Sequence, residues 1–181
     1  GPEAVLAAAQ AGQRAFGENY IQEAVEKMAA LQAMGAPALQ WHCIGPVQSN
    51  KTRLVAEHFD WMHTVDRLKI AERLSAQRPA HLAPLQVCIQ LNVDGGLNKS
   101  GAHPEEALAL AQAVAMLPHL CLRGVMSIPE PAPDHATQRA LHQRARAVFD
   151  RIHASGLAGL ERFDTLSLGM TADLDAAIEA G

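Results

Sequence analysis

Apolar residues fall into two alternating patterns along the chain. Short runs that are apolar almost throughout stand between longer stretches where apolar residues recur every three or four positions. The first pattern predicts strands covered on both faces, the second amphipathic helices. A helix over 3–11 stops at Gly12, and the strand "RAFGE" follows at 14–18. A helix over 20–34 carries Ile21, Val25, Met28 and Leu31 on one side before Gly35 ends it. The strand "LQWHCIG", 39–45, leads into the helical "SNKTRLVAEHF", with Ser49 or Asn50 as N-cap. "WMHTV", 61–65, is a strand, and Asp66 can cap a helix over 67–77. The longest strand, "LQVCIQLNV", covers 85–93. Pro104 and two glutamates open a helix over 104–116, which suits the positive end of a helix dipole. "LCLRGVMSI", 120–128, is a strand, followed by a helix over 135–154 with Leu141, Ala145, Val148 and Ile152 on one face. "FDTLSLG", 163–169, is the last strand and 172–180 the last helix.

Strands joined by helices predict an α/β fold with a parallel sheet. Six strands and seven helices suit a (β/α)8 TIM barrel lacking its first and last strands. They suit equally an open doubly wound sheet, which needs no further strands. No repeat, low-complexity tract or linker divides the chain, so residues 1–181 read as a single domain.

Composition narrows the classes. Hydrophobic residues make up 49% of 181, enough for a sizeable core. The formal charge is −4, and without a basic block nucleic acid is not an expected partner. No apolar run approaches the ~20 residues of a membrane span, and the N-terminus lacks the layout of a secretion signal. Cys43, Cys88 and Cys121 each sit in an apolar stretch without a C-x-x-C pair. They read as buried, reduced thiols, which fits a cytoplasmic protein.

In either architecture ligands bind at the C-terminal ends of the strands. There the chain places Gly17-Glu18-Asn19, then His42 and Gly45, then Asn92, then Met126 and Ser127, and finally Ser167, Gly169 and Thr171. A strand, a glycine, hydroxyls and a helix start form a candidate anion site, because backbone N–H groups and the helix dipole favour negative charge. The same serine and threonine could instead satisfy a turn, and Asp173 and Asp175 would repel an anion. Lys99 could face the same mouth or solvate a loop, Lys51 reads as a first-turn helix residue, and His42 as a hydrogen-bonded strand histidine. No metal-binding, nucleotide-binding or nucleophile-elbow motif is present.

The segments "FGENYIQEAVEK", "WHCIGPVQSNK", "NKSG", "LRGVMSIP" and "DTLSLGMTADLDAAIEAG" together resemble the pyridoxal phosphate homeostasis proteins, in order and over essentially the whole chain. The resemblance implies a barrel like the N-terminal domain of alanine racemase, with pyridoxal 5′-phosphate at the C-terminal ends of the strands. It implies that Ser167, Gly169, Met170 and Thr171 lie near the phosphate, with Thr171 standing where a serine is commoner. It further implies Asn19 near the cofactor, and Met126 and His42 lining its ring. The family's Schiff-base lysine lies on a strand before the first helix of this sequence, and an arginine and a Gly-Thr pair lie after Gly181. Neither Lys51 nor Lys99 is assigned the lysine's role, and the sequence reads as a fragment or ordered core of a longer chain.

The implied function is a non-enzymatic carrier or buffer of pyridoxal phosphate in vitamin B6 and amino-acid balance. Its partners would be apo-enzymes that take the cofactor, and the protein would be a monomer or weak dimer. No catalytic residue and no metal are expected. One rival is an amino-acid racemase, which needs two bases on opposite faces of the cofactor; Tyr20 is the only tyrosine. Another is a barrel enzyme acting on a small phosphorylated substrate, with Glu18 or His42 as base.

Overall fold

The computed structural model describes residues 1–96 and 100–181. Lys99 lies outside the described residues. The elements run α1 (Pro2–Gln10), β1 (Ala15–Glu18), α2 (Ile21–Ala33), β2 (Gln40–Cys43), a 3-10 turn (Ser49–Lys51), α3 (Thr52–His58), β3 (Trp61–Val65) and α4 (Leu68–Gln77). They continue with β4 (Leu85–Leu91), α5 (Ala107–Ala115), β5 (Leu120–Ser127), α6 (His135–His153), β6 (Thr165–Leu168) and α7 (Leu174–Ala180). Every strand and helix read from the apolar pattern is present.

All neighbouring strands are parallel, and their order in the sheet is that of the chain, β1 to β6. A doubly wound sheet reverses direction at a switch point and scrambles that order. The sequential order excludes it and defines a half-barrel with helices on its outer face. Each crossover returns the chain beside the strand it has just left.

The two faces of the sheet separate by strand alternation. Leu85, Val87, Ile89 and Leu91 of β4 join the main core with Ile70 and Leu74 of α4 and Ala107 and Ala111 of α5. Cys88, between them in sequence, instead forms an inner cluster with Trp61 and Met126. The Arg123 guanidinium lies 4.7 Å over the Trp61 ring and is bidentate to Asp164.

Boundaries differ from the apolar pattern where side chains were expected to cap. Asp66 does not cap α4, whose N-cap is Arg67 with no side-chain bond. Ser49 and Asn50 belong to the 3-10 turn rather than capping it, and Lys51 closes that turn. Pro104 precedes α5 by a three-residue turn, because residues 104–106 are not yet helical. Asp134 does cap α6, accepting the Thr137 N–H at 2.8 Å.

All three cysteines are free. Burial pushes the Cys88 thiol up to about 12, with Arg123 opposing and Asp164 assisting, and the Cys43 thiol up to about 11 against its bond to the Gly45 carbonyl. Cys121 is only half-buried. Since the thiolate is the reactive form, native protein should react with iodoacetamide at Cys121 first. Cys43 and Cys88 should label only after unfolding, which peptide mass spectrometry would read. Labelling of all three at equal rates in native protein would contradict this burial.

Candidate functional site

The C-terminal ends of the strands form one mouth. Within it a cavity of about 130 Å³ is lined by Asn19 after β1, Ile44 after β2, Met126 and Ser127 of β5, and Ser167, Gly169 and Met170 around the end of β6. Five of the seven residues named from the sequence therefore meet, although Asn19 and Met170 are 151 positions apart (170 − 19). His42 and Thr171 are not among its lining residues. The sheet brings Met126 and Ser167 side by side, since they are register partners between β5 and β6.

Two larger cavities adjoin this one. A cavity of about 670 Å³ shares Asn19 with it and runs past Tyr20, Pro46, Gln48 and Lys51 at the start of α2. Another, of about 240 Å³, shares Ile44 and Ile128 and reaches Thr64 and Gln90. Size alone would favour the α2 cavity. The smaller one gathers its lining from the ends of β1, β2, β5 and β6, and orientation in binding sites comes from such convergence of separate elements.

One polar atom of that lining stands apart. The Ser127 Oγ is buried and makes no hydrogen bond among the described residues, and the residue is only 2% exposed. A buried hydroxyl left unpaired carries a desolvation cost of about 1–3 kcal/mol. A polar ligand group in this cavity would relieve it. A small pocket whose lining includes two serines, Gly169 and Met126 suits a phosphate joined to an apolar ring.

The turn after β6 is held from behind. Gly169 has φ +87°, which glycine adopts without strain, and a Cβ there would lie 2.9 Å from that of Ala177. The Met170 N–H donates to Asp173 Oδ1 at 2.6 Å, while Asp173 Oδ2 accepts from His142 Nε2 at 2.8 Å. His142 projects from α6 and is fully buried. Burial works to raise the Asp173 carboxyl, but the Met170 N–H and the His142 imidazole outweigh it and hold the group below the usual carboxylate range. Asp173, read from the sequence as a charge that repels an anion, is thus turned inward on two donors. The same contact takes the Met170 N–H away from any ligand, so the pattern of outward-pointing N–H groups expected at the helix start is only partly realised.

His42 enters through a different set of contacts. Its ring stacks on Trp61 with centroids 5.1 Å apart. Its Nε2 lies 3.0 Å from Gln40 Oε1, and its Nδ1 lies 2.9 Å from His63 Nε2. His63 Nδ1 in turn lies 2.7 Å from Ser167 Oγ. Strands β3 and β6 are not neighbours in the sheet, so this last bond crosses the inner face of the half-barrel. Burial, with the neighbouring His42, pushes the His63 imidazole down to about 4; burial also lowers His42, against the field of Asp60.

His63 and His142 were not legible as site residues. His63 and Ser167 are 104 positions apart, and nothing in a linear pattern joins them. Ser127 was placed at its strand end from the sequence but was not assigned to the cofactor. Glu18, the candidate base of the phosphosugar reading, is paired with Lys27. Among the described residues no cluster of three or more metal-ligating side chains occurs, and no helix is long and apolar enough to cross a membrane.

A parallel half-barrel with side chains from four strand ends gathered at one mouth defines a class, and comparison with known proteins supplies it. Residues 1–179 match the family model of the alanine racemase N-terminal domain. The likeness to alanine racemase of Corynebacterium glutamicum, with a TM-score of 0.62 at 17% identity over 91% of this chain and 43% of that one, is one of fold. Much nearer are the pyridoxal phosphate homeostasis proteins of Pseudomonas aeruginosa, 54% identical over 98% of this chain and 73% of the relative, and of Haemophilus influenzae, 52% identical over 98% and 74%. PipY of Synechococcus elongatus, solved with PLP bound, has a TM-score of 0.86 at 35% identity, covering 99% of this chain and 82% of that one. The chain belongs to the pyridoxal phosphate homeostasis protein family.

Proposed function

We propose that this protein binds pyridoxal 5′-phosphate in the cavity between β1, β5 and β6 and serves as a non-enzymatic carrier or buffer of it. The observation that carries the reading is the convergence of Asn19, Met126, Ser167, Gly169 and Met170 on one cavity with the partnerless hydroxyl of Ser127. When bound, the cofactor supplies a reactive aldehyde on an aromatic ring. The chain's own part is binding and orientation. Ser167 and Ser127 offer hydroxyls to the phosphate, Gly169 lets it approach the backbone, Met126 packs on the ring, and Asn19 offers its amide. Thr171 and His42 complete the set, Thr171 beside the phosphate and His42 through His63. Asp173 and His142 fix the turn that carries Gly169 and Met170.

Release to apo-enzymes in the cytoplasm is the matching cellular role, with residues 1–181 acting as a single barrel domain and as a monomer or weak dimer. The two bases named for the phosphorylated-substrate reading are engaged: Glu18 by Lys27, and His42 by Gln40 and His63. Tyr20 is 70% exposed and lines the α2 cavity instead.

Equilibrium dialysis against pyridoxal phosphate, with and without competing inorganic phosphate, tests the reading. Saturable binding at one site is expected, weakened about tenfold by Ser127→Ala, the loss of one hydrogen bond to a charged group. Absence of saturable binding would remove the proposal.

A further inference from the structure

The bonds joining Gln40, His42, His63 and Ser167 form a wire across the inner face, at 3.0, 2.9 and 2.7 Å. A neutral imidazole has one donor and one acceptor nitrogen. Burial holds both histidines below their ordinary value, so both are neutral at neutral pH. The two ends are ambidextrous: a glutamine amide presents either oxygen or NH2, and a hydroxyl either donates or accepts. Only two arrangements then satisfy all three bonds.

In the first, Gln40 presents its oxygen, both imidazoles carry their proton on Nε2, and the Ser167 hydroxyl donates to His63 Nδ1. Ser167 then offers the cavity lone pairs alone. In the second, the Gln40 amide is turned to donate, both imidazoles carry their proton on Nδ1, and His63 donates to Ser167 Oγ. The serine proton is then free to point into the cavity. A phosphate dianion accepts hydrogen bonds and donates none, so it is repelled by the first arrangement and held by the second.

We propose that docking of a phosphate group on Ser167 selects the second arrangement, making His63, His42 and Gln40 positioning residues that set phosphate affinity from the far end of the wire. This rests on the proposed pyridoxal phosphate site. Protons balance: each imidazole gives up one to water and takes one at its other nitrogen, so binding draws no net proton from solution. Gln40 is exposed at the start of β2, so its amide turns without disturbing the core. It is the control point because its chemistry dictates the direction of every bond beyond it.

The test is a substitution that allows one direction only. Glutamate at this position, Gln40→Glu, can accept but not donate, which locks the first arrangement. Its affinity for pyridoxal phosphate should fall about tenfold or more, measured in ~1 M salt, where the Debye length of about 3 Å screens the added charge. Gln40→Met leaves His42 Nε2 to water, which donates or accepts, and should therefore lose less affinity than Gln40→Glu. Nitrogen NMR of protein labelled at histidine reads the wire directly. In wild type, adding pyridoxal phosphate should move the His63 proton from Nε2 to Nδ1; in Gln40→Glu it should stay on Nε2. Wild-type protein that binds the cofactor with an unchanged or doubly protonated His63, or Gln40→Glu binding at full affinity, overturns this proposal and leaves the binding site standing. Wild type that does not bind overturns the site itself.

Discussion

Gly124→Ala should destabilise the protein by about 4 kcal/mol or more and detach β6 from β5. A Cβ at Gly124 would sit 1.6 Å from the Thr165 carbonyl oxygen and 2.6 Å from its carbon. Both belong to backbone in the β5–β6 ladder, where Gly124 and Thr165 are register partners. Overpacking among side chains usually costs ~1–3 kcal/mol because rotamers yield. Here nothing flexible lies in the way, so the strand itself must move, which places the change among the exceptional losses. The consequence reaches the mouth, because β6 ends in the turn that carries Gly169 and Met170. Denaturant unfolding should show a much lower midpoint, and pyridoxal phosphate binding should be lost at temperatures where the rest of the fold survives. A midpoint equal to that of wild type would mean that β5 and β6 do not approach as closely as described.

Asp173→Ala should cost about 3 kcal/mol and loosen the same turn. The substitution deletes the acceptor of the Met170 N–H and, among the described residues, the one hydrogen-bond partner of the His142 ring. His142 is fully buried and its Nδ1 already has no hydrogen bond, so the imidazole would be left with both nitrogens unpaired. Removing one member of a buried pair is expensive for this reason: the survivor keeps its desolvation cost and loses its compensation. Asp173→Asn, which keeps an oxygen for Met170, should recover part of the loss. The pH dependence has a definite sign. The folded carboxyl is held below the ordinary value of about 3.9. Its contribution is therefore complete above that value and is lost as the pH falls through the lower, folded one. Asp173→Asn should show a shallower loss of stability with acid than wild type. Parallel acid titrations of the two would count against the His142–Asp173 contact.

These two expectations come from contacts between residues far apart in sequence, as do the candidate site's finer features. The strands were legible because burial on both faces of a parallel sheet demands nearly continuous apolar runs, as in "LQVCIQL". The helices were legible from the recurrence of Ile21, Val25, Met28 and Leu31, of which Ile21 and Leu31 are buried, or of Ala145, Val148 and Ile152, all buried. Helix starts were less so. Asp66 and Pro104 look like start signals, but tertiary packing shifts α4 and α5 away from them. Capping is worth about 1 kcal/mol, less than the burial of a helix face.

The alternation of elements, the parallel sheet they imply and the turn after Ser167 are properties of local sequence, because apolar period and glycine placement act within a few residues. Sheet order separates a half-barrel from a doubly wound fold, and it depends on which strands pair. The curl of the sheet sets His63 against Ser167 and Trp61 against Met126. Packing of α6 on the last turn delivers His142 to Asp173. Each of these is decided when non-local strands and helices close on one core, since a hydrogen bond between distant residues depends on where the chain brings them and not on their spacing along it.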